Sequence, residues 1–226
     1  MAIDFTNIMK DKKAYLSMEE INRMLQYCYD KGKIRDYMLI VTLARTGRRI
    51  GEIVGKKPYT RAVGLRPCDI LPDNLIEFDV LKKNHVKSFT KRGIAIEEET
   101  LARRRIKKMP IRRLFPVDDD YYDMIQSYIK SNNIGTYKRV FPITQQRAGF
   151  IIRDVAKKSG VKRHVHPHMF RHSYAINLLK DNPNDAGILK QVQDLLAHSD
   201  IKVTMAYAQF TPYDKRKSLN KLFGDG

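Results

Sequence analysis

Residues 44–52 read ARTGRRIGE and residues 166–179 read HPHMFRHSYAINLL. These two stretches decide the architecture. Ahead of the first, an apolar run from Tyr37 to Ala44 halts at Thr46-Gly47, and helical spacing resumes through Ile50, Ile53 and Val54 before Gly55. The pattern predicts a helix, a tight turn, and a second helix opening on two arginines, Arg48 and Arg49. In the other stretch Pro167 suits the first helical position, where an N–H has no partner to lose. On the helix it begins, His168 and Arg171 stand three residues apart and share a face.

Upstream, residues 1–14 are polar without a clear period and read as an N-terminal arm. Ser17 with Glu20 forms a capping box, followed by Ile21, Met24, Leu25 and Cys28 at helical spacing. Residues Lys56 to Gly64 form a basic loop. From Leu75 to Leu81 the pattern alternates, Ile76, Phe78 and Val80 on one face and Glu77 and Asp79 on the other, which predicts a half-buried strand. The stretch from Lys82 to Arg113 is dense in Lys and Arg and returns as a second strand near Ile106 to Ile111. The remainder reads as helices: Asp118–Lys130, Gln145–Ser159, Pro167–Leu179, Leu189–Ala197, Ile201–Gln209 and Asp214–Phe223. The expected fold is α+β and mainly α, a helical domain over residues 15–226 with a small antiparallel sheet and a C-terminal tail helix.

Composition narrows the partners. Of 226 residues, 43 are Lys or Arg against 25 Asp or Glu, a formal net charge of +18 that calls for a polyanion. No apolar run approaches a membrane-spanning length, and the opening MAIDFTNIMKDKK lacks the apolar stretch of a signal peptide, so the expected location is cytoplasmic, with no membrane partner. Cys28 and Cys68 are too few for a disulfide framework or a thiolate metal cage.

The two boxes, with LLAHSDIKVTMAYAQF from Leu195, resemble the signature segments of the tyrosine recombinases, the site-specific integrases and Xer-type resolvases. The family pattern runs Thr-Gly-x-Arg-x-x-Glu, then His-x-x-Arg-His, then a histidine followed nine residues later by tyrosine. Thr46, Gly47, Arg49 and Glu52 match it, as do His168, Arg171 and His172, and then His198 and Tyr207. The resemblance covers nearly the whole chain.

It implies double-stranded DNA as the partner and attack by Tyr207 on a phosphodiester, giving a 3′-phosphotyrosyl link and a free 5′-hydroxyl without metal, ATP or other cofactor. Cleavage of this kind needs fixed cationic donors for the nonbridging oxygens, and the arginine fork, charged at any working pH, suits them. Arg49 and Arg171 take that part, with His168 and His198 as further donors and Glu52 and His172 in support. A tyrosine ester stores the energy of the broken bond for religation. The family also draws a lysine from a β-hairpin to protonate the leaving oxygen. Lys83 is the choice here, because it lies just past the strand and keeps the parity of Glu77 and Asp79; Lys87 and Lys91 remain alternatives. Lys82, Lys87, Lys91 and Arg92 read as contacts to the DNA backbone. The tail YAQFTPYDKRKSLNKLF resembles the family segment that packs on a neighbouring protomer, which implies a homo-oligomer on DNA.

Two rival readings stand beside this one. His164, His166, His168 and His172 crowd together, and His-Val-His at 164–166 is also the pattern of the metal-dependent HUH nucleases, which use tyrosine as well. Those ligands belong on a strand, whereas these histidines run through Pro167 into a helix. The other rival is a DNA-binding module without catalysis, disfavoured because every expected polar group is present. The chain departs from the family in starting almost at the catalytic segment, in the Lys56–Gly64 insertion, and in Ala197 for the customary glycine before His198.

Overall fold

A computed structural model describes residues 15–56, 62–80 and 111–181. Helix α1, Met18–Asp30, starts where its capping box dictates: Ser17 Oγ accepts from the Glu20 N–H at 3.2 Å and Glu20 Oε2 accepts from the Ser17 N–H at 2.8 Å. Helix α2, Ile34–Thr46, buries Met38 through Leu43 without interruption, so it is enclosed on all sides and becomes the axis of the core. It packs on α1 and on three later helices, α4 (Asp119–Ser131), α5 (Gln145–Lys158) and α6 (Pro167–Asp181).

Local chemistry fixes where these helices begin. Asp118 accepts from the Tyr121 N–H at 3.0 Å to open α4, and Thr144 Oγ1 accepts from Arg147 N–H at 3.1 Å to open α5. The buried Tyr121 hydroxyl then donates to Thr42 Oγ1 at 3.1 Å, locking α4 to the axial helix. At the other end of the chain, the Leu16 N–H donates to Ser173 Oγ at 2.7 Å and ties the entrance of α1 to α6.

The sheet has three antiparallel strands in the order β1 (Ile70–Leu71), β2 (Leu75–Val80), β3 (Ile111–Pro116). Helix α3, Ile50–Val54, packs on β2 and on α5. The fold is therefore α+β and mainly helical, as the sequence predicts. Two details differ. The second long strand is β3 at Ile111–Pro116, pairing from Val80↔Ile111 to Leu75↔Pro116, and the expected strand at Ile106–Ile111 meets it only at Ile111; residues 106–110 lie outside the described ones. The face of β2 assigned to solvent is also more enclosed than alternation implies, since Asp79 is 7% exposed and accepts from the Val63 N–H at 2.8 Å.

The enclosure of that face has a cause in β3. Arg112 stands opposite Asp79 and reaches three carboxylates: Glu77 at 2.6 Å, Asp79 at 3.4 Å, and Asp69. Asp69 is held in turn by Arg66 at 2.9 Å. The polar face of the sheet is thus closed by an ion-pair network whose members are far apart in sequence.

Candidate active site

Between α2 and α3 the chain turns through Gly47, whose φ of 58° is left-handed and whose N–H donates to the Leu43 carbonyl at 3.1 Å. A Cβ there would stand 2.7 Å from a ring carbon of Tyr174, so this position needs glycine for its backbone and for the approach of α6. The tight turn lets the Gly47 carbonyl accept from Arg171 Nη1 at 2.9 Å. Arg171 lies on the buried face of α6 and is 4% exposed.

Arg49 is the residue before α3. Glu52, one turn on, accepts from the Arg49 N–H through Oε2 at 3.0 Å and pairs with the Arg49 guanidinium through Oε1 at 3.2 Å. The Glu52 side chain is fully buried, whereas that of Arg49 keeps 23% of its surface open. Glu52 thus pairs with the arginine and closes the start of α3. Arg48, adjacent to Arg49, is wholly enclosed: its guanidinium lies over the Phe115 ring of β3, 3.7 Å from the centroid, with Nη1 3.9 Å from Glu52 Oε2.

The imidazoles complete the group. His168 lies exposed on the first turn of α6, with the exposed His166 ring 6.5 Å from it and His164 a further 6.3 Å from His166. Partial desolvation and then the charges of Arg171, His166 and Arg49 hold the His168 pKa below its ordinary value, with Glu52 opposing. Because the side chain remains open to solvent, the cationic surroundings are the steadier of these causes. His172, one turn further along α6, is pushed down to about 4 by burial and by His168, Arg171 and His166. Among the described residues no three His, Cys, Asp or Glu side chains are arranged to hold a metal ion.

The structure therefore brings together Arg49, Glu52, His168, Arg171 and His172 of the predicted site residues. Lys82, Lys83, Lys87, Lys91, Arg92, His198 and Tyr207 lie outside the described residues. Sequence reasoning missed Arg48 and Tyr174. Nothing in a local pattern separates a buried arginine from the solvated one beside it, and Tyr174 reveals itself only through its contact with Gly47.

A mainly helical α+β domain that gathers guanidinium and imidazole groups at the turn between two helices defines a class suited to holding an anionic group such as a phosphate. The pattern of the phage integrase family matches residues 77–213, more than half of the chain. The chain belongs to that family. It is similar to a tyrosine recombinase of Pseudothermotoga lettingae, 30% identical over 121 residues that cover 50% of this chain and 40% of the relative. It is also similar to the tyrosine recombinase XerD of Rickettsia prowazekii, 28% identical over 223 residues, 96% of this chain and 65% of the relative. The matched stretches thus span between two fifths and about two thirds of these relatives' lengths.

Solved structures agree on the fold. The crystal structure of XerA recombinase superposes with a TM-score of 0.60 at 19% identity, over 92% of this chain and 63% of that one. The Tn1549 transposon integrase, solved in complex with transposon right end DNA, gives a TM-score of 0.62 at 21% identity, over 94% and 66%. Among the described residues no helix is long and apolar enough to cross a membrane.

Proposed function

We propose that residues 15–226 form the catalytic domain of a site-specific DNA recombinase, preceded by an arm over residues 1–14, which cleaves and rejoins strands through Tyr207. The observation that carries this reading is the hydrogen bond from Arg171 to the Gly47 carbonyl. It draws the two signature boxes together, as a phosphate held from several sides requires.

In this mechanism Arg49 and Arg171 donate to the nonbridging oxygens of the scissile phosphate, with His168 and His198 beside them. The Tyr207 phenol gives its proton to solvent water as its oxygen bonds to phosphorus, and the bond from phosphorus to the 5′ oxygen breaks. Lys83 gives the departing oxygen its proton. The products are a 3′-phosphotyrosyl link and a 5′-hydroxyl, and attack by a 5′-hydroxyl of another strand reverses the step without ATP. Lys82, Lys87, Lys91 and Arg92 hold the DNA backbone, and the tail segment 214–223 joins protomers on DNA.

The test is incubation with a nicked candidate duplex in excess chelator, followed by denaturing electrophoresis. The expected outcome is a covalent adduct on the 3′ side of the break, with a 5′ end that a kinase labels directly. Tyr207→Phe abolishes the adduct and leaves DNA affinity within about twofold, because the phenol adds little to a phosphate contact dominated by cations. An adduct on the 5′ side, or one formed by Tyr207→Phe, overturns the reading.

A further inference from the structure

Arg48 is the bulkiest of the fully buried side chains among the described residues. Its Nη1 and Nη2 atoms have no hydrogen-bond partner among the described residues, and its Nε reaches the Thr46 carbonyl only at 3.5 Å. What it does have is an aromatic face, Phe115 at 3.7 Å, and a carboxylate, Glu52 at 3.9 Å. Burial lowers its pKa to about 10, with Glu52 opposing, so the group remains charged at neutral pH. A charge enclosed in this way is generally less favourable than an apolar side chain of the same volume. Packing alone does not account for an arginine here.

The geometry around Glu52 suggests what does. One buried carboxylate stands between two guanidinium groups, Arg49 at 3.2 Å and Arg48 at 3.9 Å. Together the three carry a net positive charge. With Arg48 absent, Arg49 and Glu52 would close into a neutral pair, and the carboxylate would hold the more exposed arginine all the harder.

We propose that Arg48 is a positioning residue for strand cleavage: braced on Phe115, it takes a share of the Glu52 carboxylate and so leaves the Arg49 guanidinium available to the phosphate. This rests on the reading of Arg49 as a phosphate donor. Arg48 itself touches no substrate, being shut off from solvent.

Charge and shape make opposite predictions at this position. Arg48→Met fills the slot against Phe115 without a charge, and Arg48→Lys keeps the charge with a poorer fit. Adduct formation on the nicked duplex should slow on the order of 10-fold or more in Arg48→Met, as for loss of a preorganised charge near the reacting group, while DNA affinity and melting temperature hold or the latter rises. Arg48→Lys should recover most of the rate. The order is reversed if Arg48 serves packing alone, and that result, or wild-type rates in both variants, overturns the proposal.

A double-mutant cycle provides the second arm. In a Glu52→Gln background no carboxylate competes for Arg49, so adding Arg48→Met should change the rate little. This comparison also stands if Arg48→Met alone folds poorly, because the double variant buries no unpartnered carboxylate. An equal slowing on both backgrounds means that Arg48 does not act through Glu52 and overturns the proposal. Absence of an adduct with the unaltered chain fails the parent reading instead, and this inference with it.

Discussion

At His172 the folded chain refuses a proton that the unfolded chain accepts. Its pKa falls to about 4 from an ordinary 6.5, through burial and the charges of His168, Arg171 and His166. Between those values the unfolded state binds more protons, so stability rises with pH and is lost as pH drops from about 6.5 towards 4. The melting temperature should therefore fall between pH 7 and pH 5, and His172→Gln, which cannot take the proton, should flatten that fall. Parallel curves for the two chains, read by scanning fluorimetry across that range, would remove His172 as a source of acid sensitivity. At this scale residue type and spacing made the turn at Gly47 and the helix opening after Arg49 legible in the sequence. It was silent on Arg48, whose burial is decided by Phe115 on a distant strand.

Among the elements, β3 is the one whose outline local pattern could not supply. Its sequence IRRLFP puts Arg113 on the face of Phe78 and Leu114, 53% exposed, on the face of Glu77, so the alternation that marks β2 is broken. Only the register shows that Arg112 belongs opposite Asp79. Helix α1, by contrast, carries its starting signal within four residues and was read correctly. The network on Arg112 makes a measurable claim. Arg112→Ala leaves the buried Asp69 and Asp79 carboxylates beside Glu77 without their shared cation and should cost about 2 kcal/mol, below the figure for a wholly buried pair, because the Arg112 side chain is 31% exposed. Urea unfolding checks this, with Asp79→Asn in the same chain expected to recover part of the loss. A change under about 0.5 kcal/mol, the usual range for surface substitutions, would show that the network does not hold the sheet.

For the molecule as a whole, a formal net charge of +18 calls for a polyanionic partner, which is DNA in the reading proposed above. If several phosphates are neutralised on binding, the logarithm of affinity should fall with the logarithm of salt concentration at a slope steeper than about −4, as measured by fluorescence anisotropy between about 50 and 200 mM salt. A flat response would argue against a DNA-backbone partner. The hydrogen bond that joins Arg171 to Gly47 has a consequence in time as well as in space. It spans 124 positions of the chain, so while the polypeptide is being synthesised the turn at Gly47 leaves the ribosome long before the helix that completes it. A growing chain holds Arg49 and Glu52 before Arg171 exists to join them. On the recombinase reading proposed above, strand cleavage would have to wait until most of the described fold has been made, and half-built copies would leave the DNA around them intact.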